Sequence, residues 1–324
     1  MRAVVLEGQT LSQQSDRPTP QPRDGEVLVR VLRAGVCETD LQLMKGYMGF
    51  SGVLGHEFVG VAESGKFKGE RVVGEINCSC WTCPTCKAGA PSHCPNRTVL
   101  GILNHDGAFA DYIAVPQKNL HVVPDDMPTD VAVFTEPVAA AFQIPAQMTI
   151  HRHDRIVVLG DGRLGNLCAQ VLAHLSKDVT VVGKHEEKLA LLRPAKAGRY
   201  GNQIKTALLG DFPAKRDVDI VVDCTGSPTG LPTALQLVAP RGTIVMKTTV
   251  AGEQTLALAP LVIDEVTILG SRCGPFDRAL TALDAGEVDV TPMISARYSL
   301  DRGVEAIEHA RSTPSLKVLI DVES

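Results

Sequence analysis

Cys80, Cys83 and Cys86 fall at two-residue gaps on the short loop Cys80-Trp81-Thr82-Cys83-Pro84-Thr85-Cys86, and Cys94 follows eight residues on. Four thiolates at such spacing can close a tetrahedral site, and Zn²⁺ held by four sulfurs is a structural, closed centre. So many cysteines on a polar, Gly/Pro-containing stretch do not make a packed core of buried thiols. A ferredoxin-type iron–sulfur run would place its last cysteine only about three residues after the third, so zinc is the expectation. Cys78 is out of phase and reads as a leftover free thiol. Two further segments carry chemistry: Gly35-Val36-Cys37-Glu38-Thr39-Asp40 and Gly55-His56-Glu57. Taken singly, Cys37 reads as a small core residue and His56 as a satisfied core histidine.

The other reactive stretch is a strand, a glycine turn and a helix. The apolar run Ile156 to Leu159 breaks into Gly160-Asp161-Gly162-Arg163-Leu164-Gly165, and apolar residues then recur at Leu167, Cys168, Val171, Leu172 and Leu175 with helical spacing. Gly160 permits the sharp turn, Gly162 lets a pyrophosphate approach the backbone, and Gly165 lets helix and strand pack closely. The anion sits at the helix N-terminus, so Arg163 and Leu164 in the first turn join the cofactor-binding positions. The second strand, Val179 to Val182, ends where coenzyme choice is made. Gly183 stands there instead of an acid, with Lys184 and His185 after it, which favours NADP(H) over NAD. The bland alternative is that Lys184 and His185 only begin the next helix, where Glu186 and Glu187 weaken phosphate attraction. Thr225 and Gly226 follow the C-terminal end of a strand at Val218 to Val222 and belong near the cofactor.

The elements needed to hold these groups are legible from their periodicity. Strands at Val4 to Leu6 and Val27 to Leu32, separated by Pro18, Pro20 and Pro22, suit an antiparallel β domain. Asp125 to Asp130 precedes an Ala-rich helical run over 131–142. Further strands are expected at Gly242 to Met246 and Val266 to Leu269, with a weak one near Arg199-Tyr200 and helices at Leu231 to Val238 and Phe276 to Ala285. Alternating strand and helix predicts a parallel, doubly wound α/β sheet.

With 324 residues the chain has room for two domains. Hydrophobic content of 44%, charged content of 21% and a net charge of −5, with no basic block, argue against a nucleic-acid partner. No apolar segment is long enough to span a bilayer. The first residues read as a strand rather than a signal peptide, so a cytoplasmic protein with nine reduced cysteines is expected.

Cys37, Gly55-His56-Glu57, the cysteine loop, Thr135-Glu136-Pro137 and the glycine turn occur in an order and spacing that resembles the zinc-dependent medium-chain alcohol dehydrogenases, across essentially the whole chain. The likeness is to the branch containing sorbitol, threonine and glucose dehydrogenases. It implies a mainly antiparallel, GroES-like catalytic domain at 1–140 with a zinc lobe at 78–95. It also implies a Rossmann domain at 141–271 and a return to the catalytic domain over 272–324. It implies two Zn²⁺ per chain, the second bound by Cys37 and His56 with Glu57 or Glu136, and a small alcohol or carbonyl substrate. Thr39 would take the substrate proton, and Asp40 would orient the His56 imidazole. Gln42 stands where many members carry a relay histidine. A dimer or tetramer is also implied. A zinc-free reductase of the superfamily would lack the liganding residues, whereas a non-catalytic nucleotide sensor is favoured only by Gln42.

Overall fold

The computed structural model describes residues 1–192, 203–249, 256 and 258–323, and divides into two compact units, Met1–Glu136 with Met293–Ser324, and Pro137–Pro292. In the first, β1 (Ala3–Glu7) pairs antiparallel with β2 (Thr10–Gln14). Buried Val27, Val29 and Val31 alternate along β3 (Glu26–Gly35), the period of a strand with one face in the core. The short α1 (Glu38–Leu43) follows at once. β4 (Gly52–Val53) adds to β1, and β5 (Glu57–Ala62) runs antiparallel to β3, with β6 (Arg71–Gly74) beyond it. β7 (Asn77–Cys78) and β8 (Thr98–Val99) pair at the base of the cysteine loop, which contains α2 (Pro84–Lys87). β9 (Tyr112–Pro116) and β10 (Leu120–Val122) pair with β3 and β6.

The single helical run expected over 131–142 is two helices, α3 (Thr129–Ala132) and α4 (Thr135–Gln147); the Thr135 hydroxyl donates to the Ala132 carbonyl at 2.7 Å where they part. In the second unit, β11 (Arg155–Leu159), α5 (Arg163–Ala173), β12 (Asp178–Gly183), α6 (Glu186–Ala190) and β13 (Lys205–Leu208) form one half of a doubly wound sheet. The other half comprises β14 (Val218–Asp223), α7 (Gly230–Leu237), β15 (Val238–Met246), α8 (Ala259–Ile263) and β16 (Thr267–Gly270). All neighbouring strands are parallel, in the order β13-β12-β11-β14-β15-β16. Ligands bind such sheets beyond the strand C-termini, beside the point where strand order reverses, here between β11 and β14. The strand expected near Arg199-Tyr200 falls outside the described residues, and the sheet's edge is built instead by β13.

The return to the first unit begins at Met293, not at residue 272 as the resemblance implies. α9 (Phe276–Asp284) buries Phe276, Ala279, Leu280 and Leu283, and the Gln170 amide exchanges hydrogen bonds with the Asp289 main chain at 2.7 and 3.0 Å, so this segment stays with the second unit. β17 (Ile294–Ser299), α10 (Gly303–Ser312) and β18 (Lys317–Asp321) complete the first unit, β18 lying between β17 and β3. Phe50 is buried in that unit's core, and Tyr47 packs partly against it. Among the described residues no helix is long and apolar enough to cross a membrane.

Candidate active site

β3 and β5 are adjacent antiparallel strands in which Gly35 pairs with Glu57, so the residues just past Gly35 and just before Glu57 meet at one end of the sheet. That register brings Cys37 Sγ, a His56 ring nitrogen and a Glu57 carboxylate oxygen within 4.8 Å of one another. Cys37 precedes α1, and its N–H donates to Asp40 Oδ2 at 2.8 Å. Asp40 is fully buried; its other oxygen accepts from the Gly55 N–H at 3.3 Å and faces His56 Nδ1 at 3.5 Å. A carboxylate behind Nδ1 leaves Nε2 as the nitrogen available to a metal and fixes the ring orientation. Burial alone would push the His56 imidazolium pKa down, but Asp40 and the Cys37 sulfur together raise it well above the ordinary histidine value. A thiolate, an imidazole and a carboxylate are the donor types of a catalytic zinc, which keeps one coordination position for water or substrate.

Glu57 is only 1% exposed and forms an ion pair with Lys317, which is equally buried. A Cβ at Gly35 would stand 2.6 Å from Glu57 Oε2 and 3.4 Å from the Lys317 side chain, so glycine there makes room for the pair. The Lys317 ammonium also lies 5.3 Å from the centre of the Phe134 ring. Sequence reasoning missed Lys317; its only signal is a lysine opening the apolar run Val318-Leu319-Ile320. Glu136, at the start of α4, stands outside the three-residue group that could hold the ion. Thr39 Oγ1 lies 3.8 Å from Cys37 Sγ. Gln42 donates its amide to Glu38 at 2.8 Å, an i,i+4 pair along α1, which gives the residue in the relay position a local partner.

The sulfur atoms of Cys80, Cys83, Cys86 and Cys94 form a second group within 4.8 Å, with Cys94 Sγ 3.4 Å from Cys80 and 3.8 Å from Cys83. N–H groups of Thr82 and Cys83 help to draw the Cys80 thiol down to about 5, while burial and the neighbouring sulfurs push Cys86 up to about 12. Such a cluster becomes fully anionic only around a cation. Cys78 is outside it, in β7, its thiol pushed up to about 12 by burial. A Cys94→Ser variant is expected to lose one bound zinc per chain and to become protease-sensitive at the loop, because structural zinc sites supply folding free energy locally. Metal analysis with limited proteolysis checks this; unchanged metal content would contradict it.

In the second unit, Gly160 has φ +113°, and a Cβ at Gly165 would lie 2.0 Å from the Gly160 carbonyl oxygen, so both glycines are sterically required by the turn. A Cβ at Gly162 meets nothing within 4 Å, and no side-chain hydrogen bond caps α5, whose N-terminus is the end that favours an anion. Arg163 and Leu164 begin that helix. Thr225 and Gly226 follow β14, where Thr225 bonds Asp223 and the Gly226 N–H donates to the Thr248 hydroxyl at 3.0 Å. Gly183, Lys184 and His185 close β12 around the carboxylate of Asp161, a residue to which sequence reasoning gave no role. A dinucleotide fits this end of the sheet.

Residues 23–125 match the alcohol dehydrogenase GroES-like domain, and residues 164–286 match the zinc-binding dehydrogenase domain. The chain is 31% identical to a protein of Streptomyces coelicolor named L-threonine 3-dehydrogenase, over 95% of both chains. It is 26% identical to one of Halalkalibacterium halodurans named sorbitol dehydrogenase, over 94% of both. Among solved structures, a short chain alcohol dehydrogenase of E. coli CFT073, complexed with NADH, superposes with a TM-score of 0.88 at 26% identity, covering 99% of each chain. A zinc-binding dehydrogenase of Sinorhizobium meliloti 1021, bound to NADP, gives 0.86 at 26% identity and the same coverage. With an antiparallel GroES-like unit, a parallel Rossmann sheet and these relatives, the chain is an oxidoreductase of CH–OH groups belonging to the zinc-dependent medium-chain alcohol dehydrogenase family.

Proposed function

We propose that the protein reversibly oxidises a secondary alcohol carrying a neighbouring polar group, of the polyol, sugar or amino-alcohol type, with a nicotinamide dinucleotide as hydride acceptor. The observation that carries this reading is the convergence of Cys37, His56 and Glu57 on one point, with Asp40 buried behind the imidazole. When bound, zinc would supply Lewis acidity that lowers an alcohol's pKa, and a nicotinamide dinucleotide would serve as hydride acceptor. Cys37 and His56 would hold the metal, and Glu57 would add a carboxylate whose charge is shared with Lys317. Asp40 would fix the imidazole, and Thr39, two residues from the thiolate ligand, would take the hydroxyl proton at Oγ1. The onward proton route does not run through Gln42, whose amide is neither acid nor base and is bonded to Glu38. Glu136 would contact the metal directly or through its water, as the family resemblance implies.

The polar-neighbour requirement draws on relatives named for threonine and sorbitol, whose oxidised carbons each adjoin an amino- or hydroxyl-bearing carbon. Gly183 with Lys184 and His185 is the sequence feature that favours NADP(H), and Asp161 is the structural feature against it. A panel of polyols, sugars, amino-alcohols and simple alcohols, assayed with both coenzymes on zinc-loaded protein, tests the reading. Turnover confined to vicinally substituted secondary alcohols supports it, and no turnover of any alcohol contradicts it.

A further inference from the structure

In a doubly wound sheet the residue at the end of the second strand meets the adenosine ribose. An acid there accepts the 2′-hydroxyl, and a small residue with cations nearby accommodates a 2′-phosphate. Gly183 satisfies the second description by type, but the space above it is filled. A Cβ at Gly183 would lie 2.3 Å from Asp161 Oδ2 and 2.5 Å from Asp161 Cβ. Residue 183 is therefore glycine because a carboxylate from the β11–α5 turn lies flat against it.

The main-chain donors that a 2′-phosphate would recruit at Lys184 and His185 are already engaged. The Lys184 and His185 N–H groups both donate to Asp161 Oδ2, at 2.6 and 2.7 Å, and His185 Nδ1 lies 3.1 Å from each carboxylate oxygen. Asp161 is 7% exposed, and although burial would raise its carboxyl, the His185 ring and the two N–H groups hold it below the ordinary carboxylate value. Glu186 and Glu187 follow in the first turn of α6 and add further negative charge. Oδ1, whose partner among the described residues is the His185 ring, keeps a lone pair for a hydroxyl donor.

We propose that Asp161, reaching over from the glycine turn, takes the place of the missing acid at 183, accepts the adenosine ribose hydroxyl and selects NAD(H) over NADP(H). This rests on the reading of the second unit as a nicotinamide-dinucleotide site, and it inverts the coenzyme expected from Gly183, Lys184 and His185 alone.

The test titrates the zinc-loaded full chain with NADH and with NADPH, following nicotinamide fluorescence without substrate. The parent protein is expected to bind NADH at least tenfold more tightly than NADPH, and Asp161→Asn, which keeps shape but removes charge, to narrow that ratio at least tenfold. Gly183→Ala, whose methyl group displaces the Asp161 carboxylate, is expected to narrow it likewise. A substitution that merely loosens the turn weakens both nucleotides alike and leaves the ratio unchanged, and that result would overturn the proposal. Equal or tighter binding of NADPH by the parent would overturn it too while leaving the dehydrogenase reading intact. Failure to bind either nucleotide would overturn both.

Discussion

His56→Ala is expected to lower alcohol turnover by roughly a thousandfold or more while leaving the affinity for NADH within about twofold of the parent. A Lewis-acidic metal stabilises the developing negative charge on oxygen by several kcal/mol, and about 1.4 kcal/mol corresponds to a factor of ten in rate. Removing the imidazole leaves Cys37 and a carboxylate already paired with Lys317, too few donors to hold zinc against water. Asp40 is left buried with, among the described residues, only the main-chain donors of Cys37 and Gly55, so some loss of thermal stability accompanies the loss of activity. Nucleotide affinity is the internal control: the glycine turn and Asp161 belong to the second compact unit, whereas His56 belongs to the first. Steady-state kinetics and a fluorescence titration on one preparation check both halves. A variant retaining more than a tenth of parental turnover would remove the metal from the chemistry.

The second large effect concerns stability. Lys317→Met is expected to destabilise the fully metallated protein by about 3–5 kcal/mol in denaturant unfolding, the usual cost of leaving one member of a buried ion pair without its partner. Lys317 and Glu57 are each 1% exposed, so water cannot replace the lost ammonium. Lys317→Arg keeps the charge but presents a planar fork to a space shaped by Gly35, and a cost between the two is expected. A cost below about 1 kcal/mol for Lys317→Met would mean that the metal, not the lysine, compensates the Glu57 carboxylate.

Much of this architecture could be read from the chain because it rests on local rules. The strand–glycine–helix passage from Ile156 through Ala173 follows from periodicity and the close approach at Gly165, and the cysteine spacing predicts a cluster whose sulfur atoms do meet. What escaped depends on distant contacts. Lys317 lies 260 residues from Glu57, and nothing in its neighbours marks it as buried and paired. Asp161 occupies a variable position inside a familiar glycine pattern, and its meaning appears only when β12 places Gly183 directly beneath it. The chain's return at Met293 was hidden because α9 has an ordinary amphipathic pattern that does not specify which unit it packs against. Glu136 follows the strength of the family resemblance more than any local rule, and the three-residue cluster forms without it.

The most direct measurement is an anomalous difference map, recorded at the zinc edge, from crystals of the zinc-loaded protein. The result expected is one peak within about 2.0–2.3 Å of both Cys37 Sγ and a His56 ring nitrogen, with a second at the centre of the four cysteine sulfurs. A map with density among the four cysteines and none between Cys37 and His56 would contradict metal-assisted alcohol oxidation at this site.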